Sequence, residues 1–260
     1  MSGHSKWASI KHQKGAKDKA RGKLFAKLIR QVEVTARQGG SDLDSNATLR
    51  TMYQKARDAS VPLDTIERAI KRGTGELEGV RYEPVSYEGY APCGVAVYVE
   101  VLSDNRNRTG ADVRSLFSRN GGSLAEPGAV AWQFERKGVV VLPKQRPEGR
   151  GGPATEVAED DVLLVVLDAG ADDLSADGDT WRVTCPPTAL PAVEAALGEA
   201  DLPVDSAEVT MVPTTTVDLE TPEDAKKVLR LIDALDDHDD VQGVYANFDV
   251  ADDVLQAVEA

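Results

Sequence analysis

The sequence predicts a multi-domain α and α+β protein. An all-helical N-terminal domain is followed by two ferredoxin-like α/β domains, one inserted in the other. Three observations carry this expectation. Over the first 72 residues, apolar side chains recur at three- and four-residue spacing, the period of an amphipathic helix. After Gly73 the texture changes to short β-branched runs separated by helical stretches. Beyond residue 94, strand–helix–strand order repeats often enough to build two βαββαβ modules. A length of 260 residues accommodates two or three hydrophobic cores.

The elements follow in order. Ala8 to Ala20 is basic and only weakly apolar, so any helix there is marginal without a partner. Lys23 to Gln38 is the clearest helix, with Phe25, Leu28, Ile29, Val32 and Ala36 on one face and Lys23, Lys27, Arg30 and Arg37 on another. Gly39-Gly40 ends it. A second helix runs from Ala47 to Ala59 and stops before Pro62. Asp64-Thr-Ile-Glu67 resembles a capping box and starts a third helix that closes near Gly73.

Gly73 to Ala91 reads as linker. Val95 to Leu102 is a strand, Asn107 to Asn120 a helix ended by Gly121-Gly122, and Val130–Phe134 and Val139–Leu142 are two further strands. Glu148 to Pro153 is a loop. Glu156 to Ala169 is ambiguous between helix and buried strand, and its flanking acids favour helix. Trp181–Cys185 is a strand, Thr188–Ala200 a helix and Ala207–Val212 a strand. Pro222–Leu235 is a helix with proline in its first turn, and Val244–Val250 is the last strand. The economical partition is residues 1–76 as the helical domain, 77–136 with 206–250 as the outer α/β domain, and 137–205 as the insert.

The charge is divided unequally. Thirty Lys and Arg against 44 Asp and Glu give the whole chain a net charge of -14. Residues 1–40 alone hold ten bases and two acids, a net of +8, and residues 1–72 reach +9, which leaves the remainder at -23. Such asymmetry points to a polyanion at one end, because binding follows local potential rather than net charge. Within Gly3 to Arg30, Trp7, His4 and His12 sit among the bases. There the lysines and arginines would contact phosphates and release counterions, and the Trp7 ring would stack on an unpaired base. The competing reading is a solvated basic helix face.

Ser103-Asp-Asn-Arg-Asn-Arg-Thr109 lies between a strand and a helix. Arg106 and Arg108 would reach a phosphate at that helix N-terminus, or else pair with the abundant acids nearby. Gly73-Thr-Gly75-Glu-Leu-Glu-Gly79 has the wrong spacing and follows a helix, so it is no nucleotide loop. His4 with His12, and the run Asp236-Asp-His-Asp-Asp240, have no ligand spacing of a known metal site, and the acidic run reads as a solvated loop. Neither GxSxG nor HExxH occurs, so no catalytic, cofactor or metal residue is assigned. Cys93 and Cys185 make no disulfide framework and read as small buried apolar residues of a chain in a reducing cytoplasm. No apolar stretch is long enough to span a membrane.

GHSKWASIKHQKGAKDKARGKLFAKLIR, at residues 3–30, is very similar to the opening signature of the YebC/PmpR family, whose eukaryotic relative is the mitochondrial translational activator of cytochrome oxidase. Glu88-Gly-Tyr90, the SDNRNRT stretch, Gly121-Gly122 with Val130-Ala131, Ala207-Glu208-Val209 and Arg230-Leu-Ile-Asp233 match the family in order and spacing. The resemblance begins at Met1, which leaves no room for a mitochondrial presequence, and so points to the bacterial form. It implies three domains and a non-enzymatic, cytoplasmic role in gene expression. Members are described as DNA-binding transcriptional regulators, or as ribosome-associated translation factors that relieve stalling at proline stretches. The implied partner is therefore DNA, or ribosomal or transfer RNA, with no cofactor and no small-molecule substrate. Lys6, Trp7, Lys11, Lys14, Arg21, Lys23 and Lys27 match the N-terminal motif, and Arg106 and Arg108 match SDNRNRT. With their neighbours His4, Lys17 and Arg30, they form the expected nucleic-acid-binding set. Ala129 departs from the serine expected before Val-Ala, and Lys144 to Pro153 follows no recognised pattern.

Overall fold

A computed structural model describes residues 17–147 and 154–259. The chain forms two compact units. Gln133–Thr216 is one, and the residues up to Trp132 combine with those from Val217 onward in the other.

Among the described residues, three helices come first in the second of these. α1 covers Lys17–Gly39 of the described residues, so helix is already present six residues before the Lys23 start that periodicity suggests. It ends at Gly40, whose φ of +85° favours glycine and whose amide bonds the Ala36 carbonyl at 2.9 Å. α2, Ala47–Asp58, is capped by Asn46, whose side chain accepts from the Leu49 amide at 3.0 Å. The Asn46 side-chain nitrogen Nδ2 donates to the carbonyls of Thr35 and Gly40, so one residue fastens the end of α1 to the start of α2. α3, Leu63–Thr74, has Pro62 as its N-cap and no side-chain capping bond. The expected capping box therefore does not form. Asp64 lies inside the first turn, where its charge faces the positive end of the helix. The helix closes near Gly73 as expected, at Thr74, with Gly75 at φ +85° as its C-cap. Gly73 is buried where α3 crosses α1, and a Cβ there would sit 2.4 Å from the Glu33 carbonyl oxygen. Leu28, Val32, Ala36, Leu49, Ala56, Ile66 and Ala69 form the core of this region.

The α/β part of the same unit contains β1 (Glu83–Tyr90), β2 (Ala96–Ser103), α4 (Arg106–Arg119) and β3 (Ser123–Leu124). After the other unit come β10 (Val217–Leu219), α7 (Pro222–Asp236), β11 (Val241–Ala246), β12 (Phe248–Val250) and α8 (Asp252–Glu259). The main sheet has the order β11-β2-β1-β3, all antiparallel. Its apolar face, Val97, Val99 and Val101 of β2, packs against Val113 and Phe117 of α4 and Leu231 and Leu235 of α7. β1 corrects the linker reading of Gly73–Ala91. Its sequence EPVSYEGY has no β-branched run, but all eight residues pair with β2. The strand read as Val244–Val250 divides at the buried Asn247. That side chain accepts from the Ala96 amide at 2.7 Å, and beyond it β12 turns away to pair in parallel with β10.

Gln133–Thr216 holds β4 (Phe134–Pro143), the hairpin β5 (Gln145–Pro147) and β6 (Ala154–Glu156), α5 (Glu159–Asp168), β7 (Asp173–Asp177), β8 (Thr180–Cys185), α6 (Leu190–Glu199) and β9 (Ser206–Pro213). Its sheet order is β7-β8-β4-β9, again antiparallel. Of the strands expected at 130–134 and 139–142 only the second forms, within β4; Ala131–Gln133 is instead a single 3-10 turn leading into Phe134. Gly138 within β4 is a close-approach position; a Cβ there would lie 2.7 Å from Cys185 Sγ. β9 pairs with β4 over eight residues, not with the outer sheet. The unit boundaries accordingly fall at 132/133 and 216/217 rather than at 136/137 and 205/206. Val162–Leu167 is helical, with Val162 and Val166 in a core shared with Val140, Leu142, Trp181 and Val183. Cys185 is buried as expected, whereas Cys93 is exposed in a turn at φ +63°. Among the described residues no helix is long and apolar enough to cross a membrane.

Candidate nucleic-acid interface

The expected binding residues divide into three groups. His4, Lys6, Trp7, Lys11 and Lys14, together with His12, lie outside the described residues. Lys17 begins α1. Arg21, Lys23, Lys27, Arg30, Arg106 and Arg108 have defined positions.

Arg21 is exposed, its guanidinium 5.4 Å from the centre of the Phe25 ring one turn on. The next three cations are not the solvent-facing stripe that periodicity suggests. They face the end of α7 and the loop after it. Lys23 Nζ bonds the Asp237 carbonyl at 3.0 Å and its carboxylate at 2.8 Å. Lys27 Nζ bonds the carbonyl and carboxylate of Asp236 at 3.0 and 2.8 Å. Arg30 Nη1 donates to the Asp239 carbonyl and, at 3.0 Å, to the Asp240 carboxylate, while its guanidinium lies 5.2 Å from the centre of the Tyr82 ring. The cations sit at intervals of four and three residues, so they form one row along the helix. Opposite them, the carbonyls at the C-terminus of α7 carry the negative end of its dipole, and the side chains add full charges.

Asp240 is the centre of this arrangement and corrects the reading of its run as a solvated loop. Its side chain is only 5% exposed. One oxygen accepts from Arg30; the other accepts from the Thr109 hydroxyl at 2.7 Å and Arg108 Nη2 at 3.1 Å. Burial pushes its carboxyl up, but the Thr109 and Arg108 bonds and the charge of Arg30 outweigh that and hold it below its ordinary value of 3.8. The SDNRNRT stretch thus has a local structural purpose. Asn105 caps α4 by accepting from the Arg108 amide at 3.1 Å, and Ser103 Oγ lies 2.7 Å from Thr109 Oγ1. Arg108 also pairs with Asp104 at 2.6 Å. Of its two candidate roles, pairing with nearby acids is the one the geometry displays. Arg106 is exposed, and its backbone carbonyl accepts from the Tyr87 hydroxyl at 3.2 Å.

Glu88 supplies a second polar anchor. It is buried and accepts from the amides of Gly128, Val130 and Ala131 at 2.7, 2.7 and 2.8 Å. The Ala129 carbonyl between them takes bonds from the Tyr90 hydroxyl and the Trp132 indole. The Ala129 departure therefore bears on a carbonyl that any residue provides. Among the described residues, no group of three or more His, Cys, Asp or Glu side chains is arranged to hold a metal ion.

A model of the TACO1/YebC N-terminal domain matches residues 5–76, and a model of the TACO1/YebC second and third domain matches residues 82–248. The chain belongs to the TACO1/YebC family. A TACO1/YebC relative from Kineococcus radiotolerans is 53% identical, with 100% of this chain and 99% of the relative covered. One from Streptomyces coelicolor is 52% identical with both chains fully covered. Each is named a probable transcriptional regulatory protein. A crystal structure of a conserved hypothetical protein from Aquifex aeolicus matches with a TM-score of 0.78 at 42% identity, covering 94% of this chain and 96% of that one. Against this TACO1/YebC frame, sequence reasoning singled out Arg30 and Arg108 but missed the acid that joins them. The available signal was charge complementarity, a run of four aspartates in a chain whose α1 carries a row of cations. Glu88 and Thr109 were marked only as members of matched motifs, and Tyr82 not at all, since each acts through a contact distant in sequence.

Proposed function

We propose that this chain is a non-enzymatic, nucleic-acid-binding regulator of gene expression that works from the cytoplasm as a DNA-binding transcriptional regulator. Charge segregation carries the reading, with +8 concentrated in residues 1–40 of a chain whose net charge is -14. Its TACO1/YebC relatives, named as probable transcriptional regulatory proteins, support the regulatory part. The contact is assigned to His4, Lys6, Trp7, Lys11, Lys14, Lys17 and Arg21, with Arg106 as an exposed cation on the α/β part. Three domains serve this end: a basic helical one and two ferredoxin-like modules, one inserted in the other. The strand order β7-β8-β4-β9 with α5 and α6 as crossovers fits the inserted module.

A second reading, a ribosome-associated translation factor on ribosomal or transfer RNA, is favoured by one feature. Trp7 lies among the bases, and an indole stacks on unpaired bases, which folded RNA offers and duplex DNA does not. Both readings place phosphates on the same segment. Replacing Lys6, Lys11 and Lys14 together with glutamine is expected to weaken binding to a 20-base-pair duplex and to a structured RNA. For the duplex, the slope of log affinity against log salt should become shallower by about 3, roughly 0.9 per lost phosphate contact. Fluorescence anisotropy across a salt series measures this. An unchanged slope would remove the segment as the contact.

A further inference from the structure

We propose that Lys23, Lys27 and Arg30 form a second phosphate-binding surface that the chain's own acidic segment keeps occupied, and that a nucleic-acid backbone displaces that segment. This rests on the nucleic-acid reading above. Each cation holds one carbonyl and one carboxylate oxygen of Asp236, Asp237, Asp239 or Asp240. The segment therefore offers α1 a row of anionic oxygens, as a phosphate backbone would.

The contact is graded. Lys23 and Asp237 have side chains 29% and 71% exposed; Lys27 and Asp236, 15% and 37%; Arg30 and Asp240, 20% and 5%. The outer pair is hydrated and salt-screened, so it exchanges most readily, and the inner pair last. The helical region and the α/β part of this unit also keep separate apolar cores, Leu28–Ala69 residues in one and Val97–Leu255 residues in the other. Between them lies a cleft of about 390 Å³, lined by Gln31, Thr35 and Met52 on one side and Tyr98, Glu100 and Gln242 on the other. Loosening the ionic row therefore tears no continuous core. The row also follows directly in sequence from the basic segment, so a backbone held at residues 6–21 meets Lys23 at high effective concentration.

The test measures affinity of the full chain for a 20-base-pair duplex and for a structured RNA across a salt series. With Asp236→Asn and Asp237→Asn combined, affinity is expected to rise three- to tenfold on the order of two freed cations, with a salt slope steeper by about 2. Adding Lys23→Gln and Lys27→Gln to that variant should erase the gain. Asp160→Asn with Asp161→Asn, which removes the same charge from α5, should give less than half of it. The proposal is overturned if the Asp236/Asp237 variant binds no better than the parent chain, if its gain survives loss of the lysines, or if the α5 control matches it. Urea unfolding of each variant confirms that folded chains are compared. Parent-chain binding that depends on Lys6, Lys11 and Lys14, without any Asp236/Asp237 gain, overturns this inference alone; no binding to either nucleic acid overturns both it and the functional reading.

Discussion

Replacing Glu88 with alanine is expected to lower the unfolding free energy by about 3 kcal/mol, chiefly the cost of leaving the buried Val130 amide without acceptor or water, with a smaller share from the partly buried Ala131 amide. The amides of Val130 and Ala131 share one carboxylate oxygen, and Gly128 takes the other. Gly128 is exposed, so water replaces its acceptor at little cost. Glu88→Gln keeps one oxygen but sets its amide hydrogens against a donor, and about 2 kcal/mol should be lost. The pH dependence has a defined sign. Burial pushes the Glu88 carboxyl up, but the three amides outweigh it and hold the group below its ordinary 4.5. A depressed carboxyl stabilises fully above the unfolded value, and that contribution disappears as pH falls through the folded value. The gap between the parent chain and Glu88→Gln in urea unfolding should therefore be constant above pH 4.5 and narrow only below it.

Replacing Asp240 with alanine is the second large effect, about 3 kcal/mol, at the lower end for breaking a buried ion pair. The magnitude follows from its partners. Arg108 is half exposed and regains water, so it adds little. Arg30 is 20% exposed and loses its carboxylate, and the buried Thr109 hydroxyl falls back on the Asn105 carbonyl at 3.2 Å. Asp240→Asn keeps an acceptor and should lose about half as much. Asp240 also carries a depressed carboxyl, so its stabilisation is present above 3.8 and is lost as pH falls through its lower folded value. Urea unfolding at pH 7 and pH 3.5 measures both. Equal stability of Asp240→Ala and the parent chain at pH 7 would show that the hub carries no load.

Periodicity found α1, α2, α4 and α7 because each buries one stripe, and a stripe is a local property of sequence. It found β2, β4 and β8 because their β-branched runs are buried on at least one face. It missed β1 and β7, Glu83–Tyr90 and Asp173–Asp177, whose polar sequences become strands only through pairing with β2 and β8. The association of β9 with β4 was equally out of reach, since strand order is decided across sixty residues of intervening chain. The site divided in the same way. The charge of α1 was legible as a sum, and its row of cations as a period. That the row faces Asp236–Asp240 was not legible, because the apolar stripe tells which side of a helix meets its own core and nothing about what covers the other side. The Asp-rich run supplied half of that contact in plain view, and its reading as solvated loop failed for want of a partner.

The most direct measurement is ultraviolet crosslinking of the full chain in cells, with sequencing of the bound nucleic acid and mass mapping of the crosslinked peptides. The account predicts crosslinks within residues 4–30, with promoter DNA recovered under the transcriptional reading and ribosomal or transfer RNA under the translational one. Recovery of no nucleic acid, or crosslinks confined to Gln133–Thr216, would contradict it.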